Sequence, residues 1–250
     1  MSAQSSPTLQ PMLDKLRYCH ELDPADEAAL LALPYRRKTI ERNGYIVRER
    51  DHATHSCVLL SGYAMRHKIV GNGSRQIVAL HIKGDLVDLQ NSFLIVADHS
   101  VQVLTECEVA FIPRDEVKKL AMDRPALGMA MWFDTLVDAS VFREWITNVG
   151  RRDARTRIAH LLCEFSLRLK VAGLGESTDY TLPMTQEQIS DCVGLTPVHV
   201  NRTIKVLEAD GLITRRNSRS VTIGDWKKLA EAGDFDSTYL HLRDHEPALD

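Results

Sequence analysis

The feature that most constrains this chain is the stretch from Leu182 to Ile213. Thr185 followed three residues later by Gln188 is a capping box, and it opens a short helix that Gly194 ends. Thr196 is a second N-cap, with Pro197 pre-set for the first helical position. Two short helices joined across Gly194, Leu195 and Thr196 predict a helix-turn-helix.

The second helix divides its residues between two faces. Val200, Ile204 and Leu207 stand at i, i+4 and i+7 and can pack on Ile189, Val193 and Leu195 of the first helix. Val198, Asn201, Arg202 and Lys205 then point outward together. That outward row suits a DNA major groove. Arg202 can donate bidentately to guanine, Asn201 can pair with adenine or a phosphate, Val198 can meet a thymine methyl, and Lys205 can neutralise a phosphate. Thr185, Gln188, Thr196 and His199, at or near helix starts, are expected at the DNA backbone beside free backbone N–H groups. Downstream, two runs of β-formers, 212–214 and 220–223, bracket a tip carrying Arg215, Arg216 and Arg219, the pattern of a basic wing.

Charge agrees with this placement. The chain has 250 residues with 31 Lys and Arg against 34 Asp and Glu, a formal charge of -3, yet residues 151–224 hold 11 basic and 8 acidic side chains. A positive block within an acidic protein fits contact with a polyanion.

Upstream, after a short helix expected at 23–32, the chain from Arg37 to Pro113 reads as short β runs at 45–47, 57–60, 63–70, 76–82, 101–105 and 109–112. Gly71, Asn72 and Gly73 supply the turn of a hairpin, and Lys83, Gly84 and Asp85 another. Short strands at regular spacing predict an antiparallel roll or sandwich. From Pro125 to about Val149 the period becomes helical. Met129, Trp132, Leu136, Ala139, Arg143 and Ile146 form one row, apolar except at Arg143. Ala130, Phe133, Val137, Val141 and Trp145 form a second about 100° round the same helix. A helix packed on its own β unit on one side and on an identical helix on the other accounts for both rows; one wide face buried within a monomer is the alternative. A following helix has its core row at Ile158, Leu161, Leu162, Phe165 and Leu169.

Several classes are excluded by what is missing. No run approaches the ~20 consecutive apolar residues needed to span a bilayer, and the start of the chain lacks a signal-peptide pattern, so a cytoplasmic protein without membrane contact is expected. Cys19, Cys57, Cys107, Cys163 and Cys192 lie far apart with no C-x-x-C pair, so reduced thiols are the default. His52, His55, His81 and His99 fall in the β unit, where a cupin-like metal enzyme with a helical appendage is the alternative reading. No His-x-His with a following Glu supports it.

From about residue 12 to 225 the chain resembles the Crp/Fnr family of bacterial transcription regulators. The resemblance rests on Gly62 after the strand at 57–60, on Gly84, Asp85 and Leu86, on the segment from Thr105 to Pro113, and most specifically on Thr185 to Ile213. It implies an α+β fold, with an N-terminal antiparallel β-roll of jelly-roll type as sensor domain (12–124), a long dimerisation helix (125–150), a C-terminal winged helix-turn-helix (151–225) and an acidic tail (226–250). It also implies a homodimer on a two-fold symmetric operator in double-stranded DNA, RNA polymerase as a partner, a small-molecule effector of unknown identity, no catalysis, and no metal or other cofactor. Cyclic AMP- and oxygen-responsive relatives place Glu before a small residue and Arg in the recognition helix. The matching positions here are Val198, Asn201 and Arg202, and only the Arg is kept. The effector pocket is expected around Asp88, Leu89, Gln90, Asn91, His99 and Ser100. No Arg or Lys occurs from Leu94 to Val103, so a cyclic phosphodiester there would lack the family's counter-charge, and cyclic AMP is not expected to bind in the usual way.

Overall fold

The computed structural model describes residues 9–175, 178–217 and 219–242. The chain divides into two compact units, one of residues up to 68 with 79–136, the other of residues 69–78 with 137 onward.

The first unit is a β-roll with helical covers. Strands β1 (Arg36–Ile40), β7 (Cys107–Pro113) and β3 (His55–Ser61) form one antiparallel sheet in the order β1-β7-β3. Strands β2 (Tyr45–Val47), β6 (Ser100–Val103), β4 (Ala64–Ile69) and β5 (Arg75–His81) form the other in the order β2-β6-β4-β5. The expected β runs are all present, with ends shifted by a few residues. Gly71 and Gly73 do turn the β4–β5 hairpin, where the Gly73 N–H donates to Val70 O at 2.8 Å. Val47, Leu59, Ala64, Val101, Val103 and Val109 from both sheets close on one apolar interior. Gly62 sits at φ +82°, where a Cβ would lie 2.4 Å from the Glu106 carbonyl, so the turn leaving β3 requires glycine.

One helix of this unit was expected and two others extend it. Helix α2 (Pro24–Leu31) is where 23–32 was expected, with Asp23 as its cap. Helices α1 (Gln10–Cys19) and α3 (Arg114–Asp123) were not expected, yet their apolar faces, Met12, Leu13 and Leu16 with Val117 and Leu120, form a second core with Leu127, Ala130 and Met131 of α4 (Pro125–Arg151). Lys15 of α1 is held between Asp85 at 2.8 Å and Asp134 at 2.9 Å. Burial opposes its charge, but the two carboxylates outweigh that and raise its pKa.

Helix α4 has 27 residues and a length of about 40 Å. Its two rows separate as the periodicity required. Ala130, Val141 and Trp145 are buried, whereas Met129, Trp132 (60% exposed), Leu136 and Ile146 (72% exposed) face outward.

In the second unit α5 (Ala154–Val171), capped by Asp153, is the central element. A single core row was expected. Instead Ile158 to Leu167 are all buried, because α6 (Gln186–Val193), α7 (Pro197–Ala209) and α8 (Trp226–Ala232) surround the helix. Behind it the chain past the wing forms a brace. Glu164 accepts from Trp145 Nε1 at 2.9 Å and from the Tyr239 hydroxyl at 2.8 Å, and a His160 ring nitrogen lies 3.1 Å from Gly233 O. Residues 243–250 of the expected acidic tail lie outside the described residues. The hairpin tip, residues 69–78, belongs to this unit, and in it Arg75 pairs with Asp191 of α6 at 2.7 Å.

Candidate nucleic-acid interface

The interface begins with the two caps. Thr185 Oγ1 accepts from the Gln188 N–H at 3.2 Å while Gln188 Oε1 accepts from the Thr185 N–H at 2.9 Å, closing the capping box of α6. Gly194 ends α6 at φ +65°, and Thr196 Oγ1 accepts from the His199 N–H at 3.3 Å to start α7. The turn is thereby fixed at both ends.

Tertiary packing then orients α7. Val200, Ile204 and Leu207 are buried, as are Ile189 and Val193 of α6; Leu195 is half-buried. The opposite face carries Val198 (79% exposed), Arg202 and Lys205, all exposed, with Asn201 half-buried beside them. Among the described residues Arg202 and Lys205 make no ion pair, so neither charge is committed to one of them. His199 is half-buried at the same end.

The remaining expected contacts divide. Gln188 is buried and its side chain is used by the cap, which removes it from the outward set. The wing forms a three-stranded antiparallel sheet in the order β8-β10-β9, from β8 (Asp179–Thr181), β10 (Ser220–Ile223) and β9 (Ile213–Thr214); β8 was not expected. Arg215 lies back on α7 in a two-point pair with Glu208, at 2.9 and 3.2 Å, and is mostly covered. Arg216 is exposed and reaches Asp179 at 2.6 Å. Arg219 is half-buried, its backbone N–H donating to Asn217 Oδ1, while Ser218 at the tip lies outside the described residues. Asn201 meets a residue absent from the sequence-based set, Gln186, whose Nε2 is 3.3 Å from Asn201 Oδ1.

The expected effector cassette is a knot of buried polar side chains. Asp88, 1% exposed, accepts from the Cys57 N–H at 2.6 Å, with Asn91 Nδ2 at 3.4 Å. Gln90 Nε2 is 3.2 Å from a ring nitrogen of His99, and the other ring nitrogen is 2.7 Å from Asp98. Ser100 Oγ accepts from the Glu49 N–H, and Leu89 joins the core under α1 and α3. The expectation that no basic group serves this region is corrected by Arg66 of β4. It is 4% exposed, donates to Val87 O at 2.8 Å and acts on Asp88 and His99 electrostatically. Burial raises the Asp88 carboxyl to about 6, and the Cys57, Asn91 and Arg66 groups offset only part of that rise. Burial also lowers the His99 pKa.

Comparisons with known proteins match both units. A cyclic nucleotide-binding domain family matches residues 37–124, and a Crp-like helix-turn-helix domain family matches residues 156–232. The chain belongs to the Crp/Fnr family. It is 28% identical over 202 residues to the nitrogen fixation regulation protein FixK of Azorhizobium caulinodans, covering 81% of this chain and 79% of that one. It is 27% identical over 222 residues to the transcriptional activator protein FnrL of Cereibacter sphaeroides, covering 88% of each. The structure of FixK2 from Bradyrhizobium japonicum superposes with a TM-score of 0.74 at 22% identity, over 80% of this chain and 98% of that one. This Crp/Fnr protein is a DNA-binding transcription regulator; the match of the roll and the reading head to these two families supports that reading and not the cupin-like enzyme alternative. Among the described residues no three His, Cys, Asp or Glu side chains group as metal ligands, and no helix is long and apolar enough to cross a membrane.

Proposed function

We propose that this regulator acts as a homodimer, joined along α4 through Met129, Trp132, Leu136, Ala139, Arg143 and Ile146, and reads a two-fold symmetric operator. Two recognition helices then meet successive major grooves about 34 Å apart. Arg202, Asn201 and Val198 contact base edges, while Lys205, Thr196, His199 and the Arg216 and Arg219 wing hold phosphates. The observation that carries the reading is the division of α7, with Arg202 and Lys205 exposed and uncommitted on one face and Val200, Ile204 and Leu207 buried on the other.

The exposed apolar row of α4 supports the dimer, since a cytoplasmic monomer would leave Trp132 and Ile146 in water. Regulation works as a two-state equilibrium in which an effector or partner favours one pairing of the α4 helices, and so one spacing of the reading heads. No catalytic step is involved. Cyclic AMP is not bound in the family's usual way, because Asp88 would place a carboxylate against its phosphate and Arg66 already donates to Val87 O. RNA polymerase is the downstream partner.

The test is Arg202→Ala on an operator selected from random duplexes. Affinity should fall by roughly 1 to 3 kcal/mol and base preference should relax at one position of each half-site. An unchanged affinity with an intact fold refutes the assignment.

A further inference from the structure

The outward row of α7 has one member that another helix holds. Asn201 is half-buried, and its Oδ1 lies 3.3 Å from Nε2 of Gln186, the first residue of α6. A carboxamide presents an acceptor at one end and a two-hydrogen donor at the other, and a half-turn of its terminal torsion exchanges them. Reading adenine through N6 and N7 requires both in a set order, with the oxygen accepting from N6 and the nitrogen donating to N7. A freely turning Asn adopts either order. Here Gln186 donates to the oxygen. One lone pair of Oδ1 remains for a base N–H, and Nδ2, at the other end of the carboxamide, is left to donate to N7.

The donor is itself well placed. Gln186 follows the cap residue Thr185, and the reciprocal hydrogen bonds between Thr185 and Gln188 fix the backbone on both sides of it. The Gln186 side chain is half-buried, so the amide pair is partly shielded from competing water.

Resting on the assignment of α7 to base reading, we propose that Gln186 is a positioning residue for sequence recognition: it holds the Asn201 carboxamide in the order that reads adenine. Part of the operator preference therefore resides in α6, in a residue that touches no base. Direct contact of Gln186 with a phosphate is the competing role, and it has a different signature. A phosphate contact strengthens all duplexes alike, whereas a positioning contact strengthens only those with the matching base.

The experiment uses the full-length protein, a selected operator duplex, its single-base variants and a non-specific duplex, with affinities measured at two salt concentrations. Asn201→Ala should erase a preference at one base pair per half-site of about 5- to 150-fold. Gln186→Ala should lower the preference at that same pair by about two- to tenfold, the range of one net hydrogen bond, and leave non-specific affinity unchanged. Gln186→Glu keeps the shape but can only accept when ionised. It should draw Nδ2 inward, turn Oδ1 outward and shift the preferred base at that pair away from adenine, a change that a loss of folding cannot mimic.

Three outcomes overturn the proposal. If Asn201→Ala removes the preference while Gln186→Ala and Gln186→Glu leave it intact, base reading stands and the positioning role falls. If Gln186→Ala weakens every duplex equally, its role is phosphate contact. If Asn201→Ala itself leaves all preferences unchanged, the base-reading assignment of Asn201 fails, and the proposal with it.

Discussion

The recognition helix and the cassette at residues 84–92 are both rich in polar side chains, and they send them in opposite directions. On α7 Arg202 and Lys205 face water, while the structural tasks fall to buried Val200, Ile204 and Leu207 and to the cap at Thr196. In the cassette Asp88, Asn91 and Ser92 face inward, and Arg66 of β4 and His99, just before β6, join them in the interior. An exposed Arg contributes little to stability and is available to a ligand, whereas a buried carboxyl must be satisfied inside the protein or change its protonation. Substitutions on α7 should therefore alter binding and spare the fold. Substitutions in the cassette should alter stability, and alter it in a pH-dependent way.

The strongest test of that separation concerns α4. If reading heads work in pairs while each cassette is satisfied within its own chain, Leu136→Glu combined with Ile146→Glu should yield a monomer by sedimentation. Operator affinity should fall by about 10²- to 10⁴-fold, the value of losing the second, tethered contact. The pH profile of the roll should survive. A dimer that persists in the double variant would break the interface assignment, and a changed pH profile would show that the cassette depends on the partner.

Next in size is Asp88. Its folded pKa of about 6 lies above the ~3.9 of an unfolded Asp, so between these values the folded state binds more protons than the unfolded state. The contribution is present below pH ~4, declines as pH rises through 4 to 6, and is lost above 6, an effect of about 3 kcal/mol. Asp88→Asn keeps an oxygen for the Cys57 N–H and cannot ionise. In urea unfolding from pH 4 to 7, the stability of this variant relative to the parent should climb with pH and level off above 6. A flat difference would mean that the buried carboxyl stays ionised throughout, and the contrast with α7 would lose its basis.

What could be read in advance follows the same division. The caps of α6 and α7, the outward row of α7, the two rows of α4 and the Gly71–Gly73 turn are local patterns, set by residues within a few positions of one another. The cassette is not local. Strand β4 reads Ala, Met, Arg, His, Lys, Ile, and nothing in that alternation says that Arg66 turns inward; its reasons are Val87 O and Asp88, some twenty residues on. Strand β1 does not read as a strand because its four leading residues are exposed and three of its five are basic. Its place depends on pairing with β7, about seventy residues away. The all-round burial of α5 has no local signal because it depends on α6, α7 and α8 closing round the helix. Gln186 carries no local signal, since its importance lies in a neighbour on another helix.

The smallest effects separate residues that look alike in sequence. Lys205 and Arg215 are both basic and both sit in the DNA-binding unit, but Lys205 is exposed and uncommitted, whereas Arg215 is bound at two points to Glu208 and mostly covered. If Lys205 neutralises one phosphate, Lys205→Ala should weaken every duplex by a similar factor and reduce the slope of log affinity against log salt by about one. Arg215→Ala should leave that slope unchanged. Its cost should fall on stability instead, at about 1 kcal/mol or less, because a partly exposed ion pair gains little over its hydrated groups. A reduced slope for Arg215→Ala would mean that the guanidinium leaves Glu208 for a phosphate on binding. Burial would then be a poor guide to which charges a reading head can use, and the line drawn between outward and inward polar groups would have to move.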